Sequence, residues 1–250
     1  MRGAQMGIKQ TITFHPLGDS AIVIQVGDEI RKEIHLLVQR IFGCVETHPF
    51  QGYVEAVQAF ANVTVFYEPY TVYRENQLDK KGISPYEWVE KHLKNLLDRE
   101  LIASTPVQRR IVEIPVCYGG EFGPDLEEVA TINGLTSNDV VRIHTEGTYL
   151  VYMIGFAPGF PFLGGLSKEI AAPRRQSPRM SIPKGSVGIA GKQTGVYPIS
   201  TPGGWQLIGQ TPLALFRPDE NIPSLLAAGD QVKFVQISKA EFFEREDEGR

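Results

Sequence analysis

The chain has 250 residues, 42% of them hydrophobic and 22% charged, enough apolar mass for one or two globular domains. Its 25 basic and 29 acidic side chains leave a net charge of −4, which argues against a nucleic-acid binder, since that class needs a strong basic footprint. No segment approaches the ~20 apolar residues of a membrane span or carries a secretion signal, and two distant cysteines, Cys44 and Cys117, point to a reducing, cytoplasmic location.

Residues 10–14 and 20–26 read as strands joined by a Pro16-Leu17-Gly18-Asp19 turn. A helix follows, with Asp28 as its N-cap and Ile30, Ile34, Leu37, Val38 and Ile41 on one face. Residues 52–67 supply two strands, with Val63, Val65 and Tyr67 alternating on one side of the second. Ser84-Pro85-Tyr86-Glu87 opens another helix as a capping box with proline in its first turn, and Val89, Leu93, Leu96, Leu97 and Leu101 form its apolar stripe. The segment IVEIPVC, 111–117, is a strand. From residue 20 the order is β-α-β-β-α-β, the ferredoxin-like arrangement. Ser104, Thr105 and Pro106 mark a linker between an α/β domain at 1–105 and a second domain at 106–250, and the strand at 111–117 fits either.

The second half opens with two short helices. Pro124 and Asp125 start the first and Asn133-Gly134 ends it; Thr136 and Asp139 cap the next, which Gly147 ends. The strand YLVYMIGF follows, then SVGIAG, TGVYPIS, WQLIGQ, LALFRP and QVKFVQI, each too short for a helix and bounded by breakers. That rhythm is the signature of a β-barrel or sandwich, giving an α+β protein overall. The last ten residues, EFFEREDEGR, read as a solvated or frayed tail.

The segment Gly155–Pro212 stands apart. It holds 11 of the 25 glycines and 8 of the 17 prolines, and six basic residues (Lys168, Arg174, Arg175, Arg179, Lys184, Lys192) against one acid, Glu169. Glycine lets a ligand approach the main chain, proline stiffens it, and exposed amides beside cations suit an anion. Turn chemistry in a barrel would use the same glycines and prolines; the single sign of charge is what favours a binding role.

Several familiar chemistries do not fit. KGSVGIAGKQT is not a phosphate-binding P-loop, because Ser186 stands where its first glycine belongs and Gln193 where its hydroxyl residue belongs. There is no G-x-S-x-G elbow and no H-E-x-x-H, and no residue set reads as a metal site. His144, in the last turn of its helix, reads as a cation favoured by the helix dipole. Between Gly147 and Leu215 the only acid is Glu169, so a complete Mg²⁺-ATP site in this segment is not expected, and other parts of the chain or a partner must contribute. The candidate anion-binding residues are Arg174, Arg179 and Lys184, since arginine clamps carboxylates through two parallel hydrogen bonds, with Gln193, Thr194 and Tyr197 as polar contacts. Phe156, Phe160, Phe162 and Trp205 are candidates for an apolar pocket or a partner surface, or for plain core.

The runs EIPVCYGGEFGPDLEEVA (113–130), YMIGFAPGFPFLGGL (152–166) and SVGIAGKQTGVYPISTPGGWQLIGQTPLALF (186–216), with LGDSA at 17–21, resemble the allophanate hydrolase subunit 1 family over essentially the whole chain. Lys192 departs from the glycine or apolar residue more common in that family. The resemblance implies a cyclophilin-like β-barrel for the C-terminal domain. It implies two heteromeric partners, the 5-oxoprolinase C subunit (an allophanate hydrolase subunit 2 family protein) and the 5-oxoprolinase A subunit. Together these form an ATP- and Mg²⁺-dependent enzyme that opens 5-oxo-L-proline to L-glutamate. The resemblance also implies, as an alternative or additional role, inhibition of a sporulation sensor histidine kinase by contact with its phosphotransfer helices.

Overall fold

The computed structural model describes residues 12–29, 31–80, 82–101 and 110–248. The chain divides into two compact units, residues 1–108 and 109–250. The linker expected at Ser104–Pro106 and the stripe residue Ile30 lie outside the described residues.

The first unit contains β1 (Thr13–Pro16), β2 (Ala21–Gln25), α1 (Lys32–Thr47), β3 (Tyr53–Gln58), β4 (Asn62–Tyr67), α2 (Pro69–Glu75) and α3 (Pro85–Glu100). Its sheet is antiparallel in the order β1-β2-β4-β3. Strand alternation puts Ile22, Ile24, Val63 and Val65 on one face, and there they pack with Ile34, Val38 and Ile41 of α1 and Val89, Leu93 and Leu97 of α3. The capping box at Ser84 forms as expected: Glu87 N–H donates to the serine hydroxyl, and the Glu87 carboxylate accepts the Ser84 amide. The first helix departs from expectation. It begins after Arg31, so Asp28 sits too far back to reach the first-turn amides and is no cap.

The second unit contains β5 (Ile111–Tyr118), α4 (Leu126–Asn133), α5 (Ser137–Glu146), β6 (Tyr149–Ile154), β7 (Pro161–Gly164), β8 (Arg179–Ile182), β9 (Ser186–Ala190), β10 (Gln193–Val196), β11 (Thr201–Gly203), β12 (Gln206–Gln210), β13 (Gln231–Gln236) and α6 (Lys239–Glu248). Seven strands close a barrel in the order β10-β7-β6-β13-β5-β12-β9, and β8 with β11 forms a separate two-stranded ribbon. Closure leaves no unpaired strand edge in the barrel. The strand at 111–118 therefore does not complete the N-terminal sheet: β5 pairs in parallel with β13 and antiparallel with β12, while β1 takes the place beside β2. The segment LALFRP forms no strand, only one bridge from Phe216 to Ser224. The acidic C-terminal residues are not a frayed tail throughout. They extend α6, and Phe242 is buried against Phe122, Cys117 and Ile237.

A titratable group sits inside the barrel unit. His144 is fully buried, its ring stacked 4.4 Å from that of Phe234. The Thr194 hydroxyl donates to the Gly188 carbonyl (3.0 Å), so its oxygen accepts from His144 Nε2–H (3.0 Å); Nδ1 then accepts from the Tyr118 hydroxyl (2.8 Å). Because α5 turns this residue inward, the expected cation at the helix end is instead a neutral imidazole, its pKa pushed down by burial to about 3. The folded state resists protonating it, so stability is full above the ordinary histidine pKa of 6.5 and falls as pH drops toward 3. Unfolding free energies from urea titrations between pH 7 and pH 4.5 should fall by about 1.4 kcal/mol per pH unit below 6.5, relative to a His144→Gln variant whose profile is flatter.

No helix among the described residues is long and apolar enough to cross a membrane.

Candidate aromatic cleft and its arginine wall

Asp125 organises the site. It stands at the N-cap of α4 but makes no capping bond with its side chain. Its carboxylate, 3% exposed as a residue, turns away from the helix and accepts from Arg175 Nη1 (2.9 Å), from Arg179 Nη1 and Nη2 (2.9 and 2.7 Å) and from the Leu207 amide (2.7 Å). The Asp125 amide in turn donates to the Leu207 carbonyl (2.9 Å). Arg179 thus uses the planar fork that suits a carboxylate, but on a partner within the same chain. The Glu128 carboxylate lies 3.8 Å from Arg175 Nη1 on the exposed side.

These bonds dock the loop 173–179 onto the stretch before β12. The Arg175 amide donates to the Gly204 carbonyl (2.8 Å), Gln206 Nε2 donates to the Pro173 carbonyl (3.3 Å), and Arg179 pairs with Gly203 across the β8–β11 ribbon. The docked loop forms one wall of a cleft of about 380 Å³. Arg174 and Pro178 stand on that wall; Phe156, Phe160, Phe162, Tyr197, Trp205 and Gly203–Gly204 make the rest, with Pro202 at the edge. Among the described residues, no acidic side chain lines it.

Phe160 is the centre of the floor. Its ring meets those of Phe156, Phe162, Tyr197 and Trp205 edge to face, at 5.5, 5.0, 5.4 and 5.7 Å between centroids. Gly195 permits this packing, because a Cβ there would lie 3.0 Å from the Trp205 ring and 3.2 Å from that of Phe160. Gly203 does the same beside Tyr197, whose hydroxyl would be 2.6 Å from an added Cβ. Burial pushes the Tyr197 phenol up, against the opposite pull of a Trp205 backbone hydrogen bond and of Arg174 and Arg179, so it keeps its proton and stays a hydrogen-bond donor. Phe156 is unusual on two counts: it is 71% exposed, and its φ is +70°, a left-handed conformation that L-residues with bulky side chains avoid.

The sequence candidates separate into three groups. Phe156, Phe160, Phe162, Trp205, Tyr197 and Arg174 are brought together around the cleft. Arg179 is near it but spent on Asp125. Lys184 lines a different hollow, of about 540 Å³, with Pro198–Ser200, Gln210–Ala214 and Phe242, so it shares no ligand space with Arg174. Thr194 is fully buried and committed to His144 and Gly188, and Gln193 lies outside the lining of either hollow. Of the three cationic candidates, Arg174 is the one that lines the aromatic cleft, Arg179 pairs with Asp125, and Lys184 lines the other hollow. Sequence reasoning misses Asp125 as a site residue. The imbalance of six cations against one acid in 155–212 requires a counter-charge from elsewhere in the chain, and that is the signal that could have found it.

The carboxyltransferase domain family, subdomains C and D, matches residues 12–226. The chain belongs to this family. It is 60% identical over 226 residues to a Bacillus subtilis protein named as the B subunit of 5-oxoprolinase, spanning 90% of this chain and 93% of that one. A protein of the same name from Escherichia coli O157:H7 is 41% identical over 224 residues, 88% of this chain and 93% of its own length. The crystal structure of TTHA0988 superposes with a TM-score of 0.72 at 32% identity, covering 88% of this chain but only 40% of that one. The family resemblance carried by the three long motifs is borne out, as is a mixed α and β fold with a closed barrel.

Two substitutions test the geometry. Replacing Asp125 with alanine leaves two guanidiniums facing each other without a carboxylate and should cost about 3 kcal/mol, read from denaturant unfolding. Phe156→Gly relieves the left-handed backbone and should leave the chain as stable or up to about 1 kcal/mol more stable in the same measurement, because glycine adopts positive φ freely.

Proposed function

We propose that this chain is the B subunit of an ATP-dependent 5-oxoprolinase, acting with the A and C subunits, the latter of the allophanate hydrolase subunit 2 family, to open 5-oxo-L-proline to L-glutamate. The observation that carries this reading is the 60% identity to a 5-oxoprolinase B subunit over nearly the full length of both chains. Its scaffold is an N-terminal unit built on the antiparallel sheet β1-β2-β4-β3 and a C-terminal barrel of cyclophilin-like kind. That TTHA0988 joins the matched region to a longer chain supports a module that works beside further ones.

Ring opening adds one water across the amide C–N bond, leaving an α-amino group and a new carboxylate; hydrolysis of ATP to ADP and phosphate consumes a second water. A lactam carbonyl is a poor electrophile, and phosphoryl transfer from ATP supplies the activation. The chain's own cleft suits the other end of the substrate. Arg174 pairs with the ring's carboxylate by a charge-assisted hydrogen bond, Phe160 and Trp205 cover its methylene edge, and the protonated Tyr197 hydroxyl offers a donor. Mg²⁺-ATP is assigned to the assembled complex, because the cleft offers no carboxylate to hold a metal, and among the described residues no His, Cys, Asp and Glu side chains gather as a metal would need.

The purified chain alone should give no glutamate from 5-oxoproline and ATP, and adding the A and C subunits should produce glutamate and ADP in equal amounts. A folded, co-purifying three-protein assembly that produces none rejects the assignment.

A further inference from the structure

We propose that Asp125 sets the charge the aromatic cleft accepts, so that the cleft takes a compact ring bearing one carboxylate and refuses the ring-opened dicarboxylate. This rests on the 5-oxoprolinase reading and extends it to how one site separates substrate from product.

Charge on the cleft wall comes first. Arg174, Arg175 and Arg179 lie within six residues of each other, and three free guanidiniums on one wall would pair with two carboxylates of one ligand as readily as with one, although the ring-opened product, with its ammonium, has the same net charge of −1 as the lactam. Arg175 and Arg179 are instead held by Asp125, and Glu128 faces Arg175 from the exposed side. The two cations and two anions of that cluster sum to zero. Arg174 forms no ion pair among the described residues, lines the cleft, and leaves it with a single positive charge.

The remaining surface decides the rest. Opening the lactam converts a neutral amide into an ammonium and a second carboxylate. With the first carboxylate on Arg174, these new charges would lie against Phe156, Phe160, Tyr197 and Trp205, where no acid and no second cation lines the wall. Aromatic faces tolerate the new ammonium, but a second carboxylate left without a cation against their negative faces is costly, whereas the uncharged lactam ring meets them favourably. Hydrolysis therefore creates a molecule that the cleft expels.

Trp205 supplies the probe. The chain has two tryptophans, Trp88 and Trp205, so in a ¹⁵N-labelled Trp88→Phe protein the one indole resonance reports the cleft floor. The labelled chain is titrated alone, and then assembled with unlabelled A and C subunits, with 5-oxoproline and with glutamate. The expected result in at least one state is a shift of that resonance at a concentration at least tenfold lower for 5-oxoproline than for glutamate. Arg174→Gln should remove the response to 5-oxoproline, and Asp125→Asn, where it folds, should narrow the preference over glutamate severalfold by releasing two guanidiniums. No shift in either state, an equal response to both ligands, a response indifferent to Arg174→Gln, or an unchanged preference in folded Asp125→Asn overturns the proposal. Turnover is scored separately: an active assembly with a silent Trp205 resonance rejects the cleft assignment and leaves the enzyme assignment standing.

Discussion

One buried carboxylate holds the cleft of the second unit in shape. Asp125 receives four donors from three residues: two arginines of the loop 173–179 and the backbone of Leu207 in β12. A carboxylate taken out of water is tolerated only when paired and fully hydrogen-bonded, and here both conditions are met. The consequence is positional. Helix α4, the loop that carries Arg174 and the strand that follows Trp205 all meet at this one side chain, which adds its bonds to the backbone contacts that dock the loop, and the cleft lies where they meet.

The aromatic floor is a second kind of constraint, built from shape. Phe160 touches four rings at once, and glycines at 195 and 203 remove the side chains that would otherwise keep those rings apart. Polar geometry thus places the wall and close packing places the floor. The backbone of Phe156 supplies the exception, a left-handed residue with an exposed ring at the rim. Strain of that sort costs about 1–3 kcal/mol and persists where surrounding structure enforces it, a pattern concentrated at ligand sites.

What can be read in the sequence is what is local. The boxes at Ser84 and Glu87 and at Thr136 and Asp139 need only three residues of context, and both form. Gly134 ends α4 in the left-handed conformation its position suggests. The clustering of Phe156, Phe160 and Phe162 is legible because they share one short stretch of chain, whereas Trp205 joins them from 43 residues beyond Phe162. What escapes such a reading is non-local. The partner of β5 lies about 120 residues ahead in β13, so no window around 111–118 assigns that strand to the barrel rather than the first sheet. Asp125 looks like an ordinary helix cap because its arginines are 50 and 54 residues away. His144 looks like a helix-end cation because nothing nearby in sequence reveals that α5 turns that face into the barrel.

The parallel pairing of β5 with β13 has a consequence for biogenesis. The sheet and helices of the first unit draw on residues up to Glu100, so that unit has all its parts once its own stretch has left the ribosome. The barrel cannot seal until Gln231–Gln236 emerges and slots between β5 and β6. Until then its opening strand carries an unpaired edge, open to pairing with foreign strands.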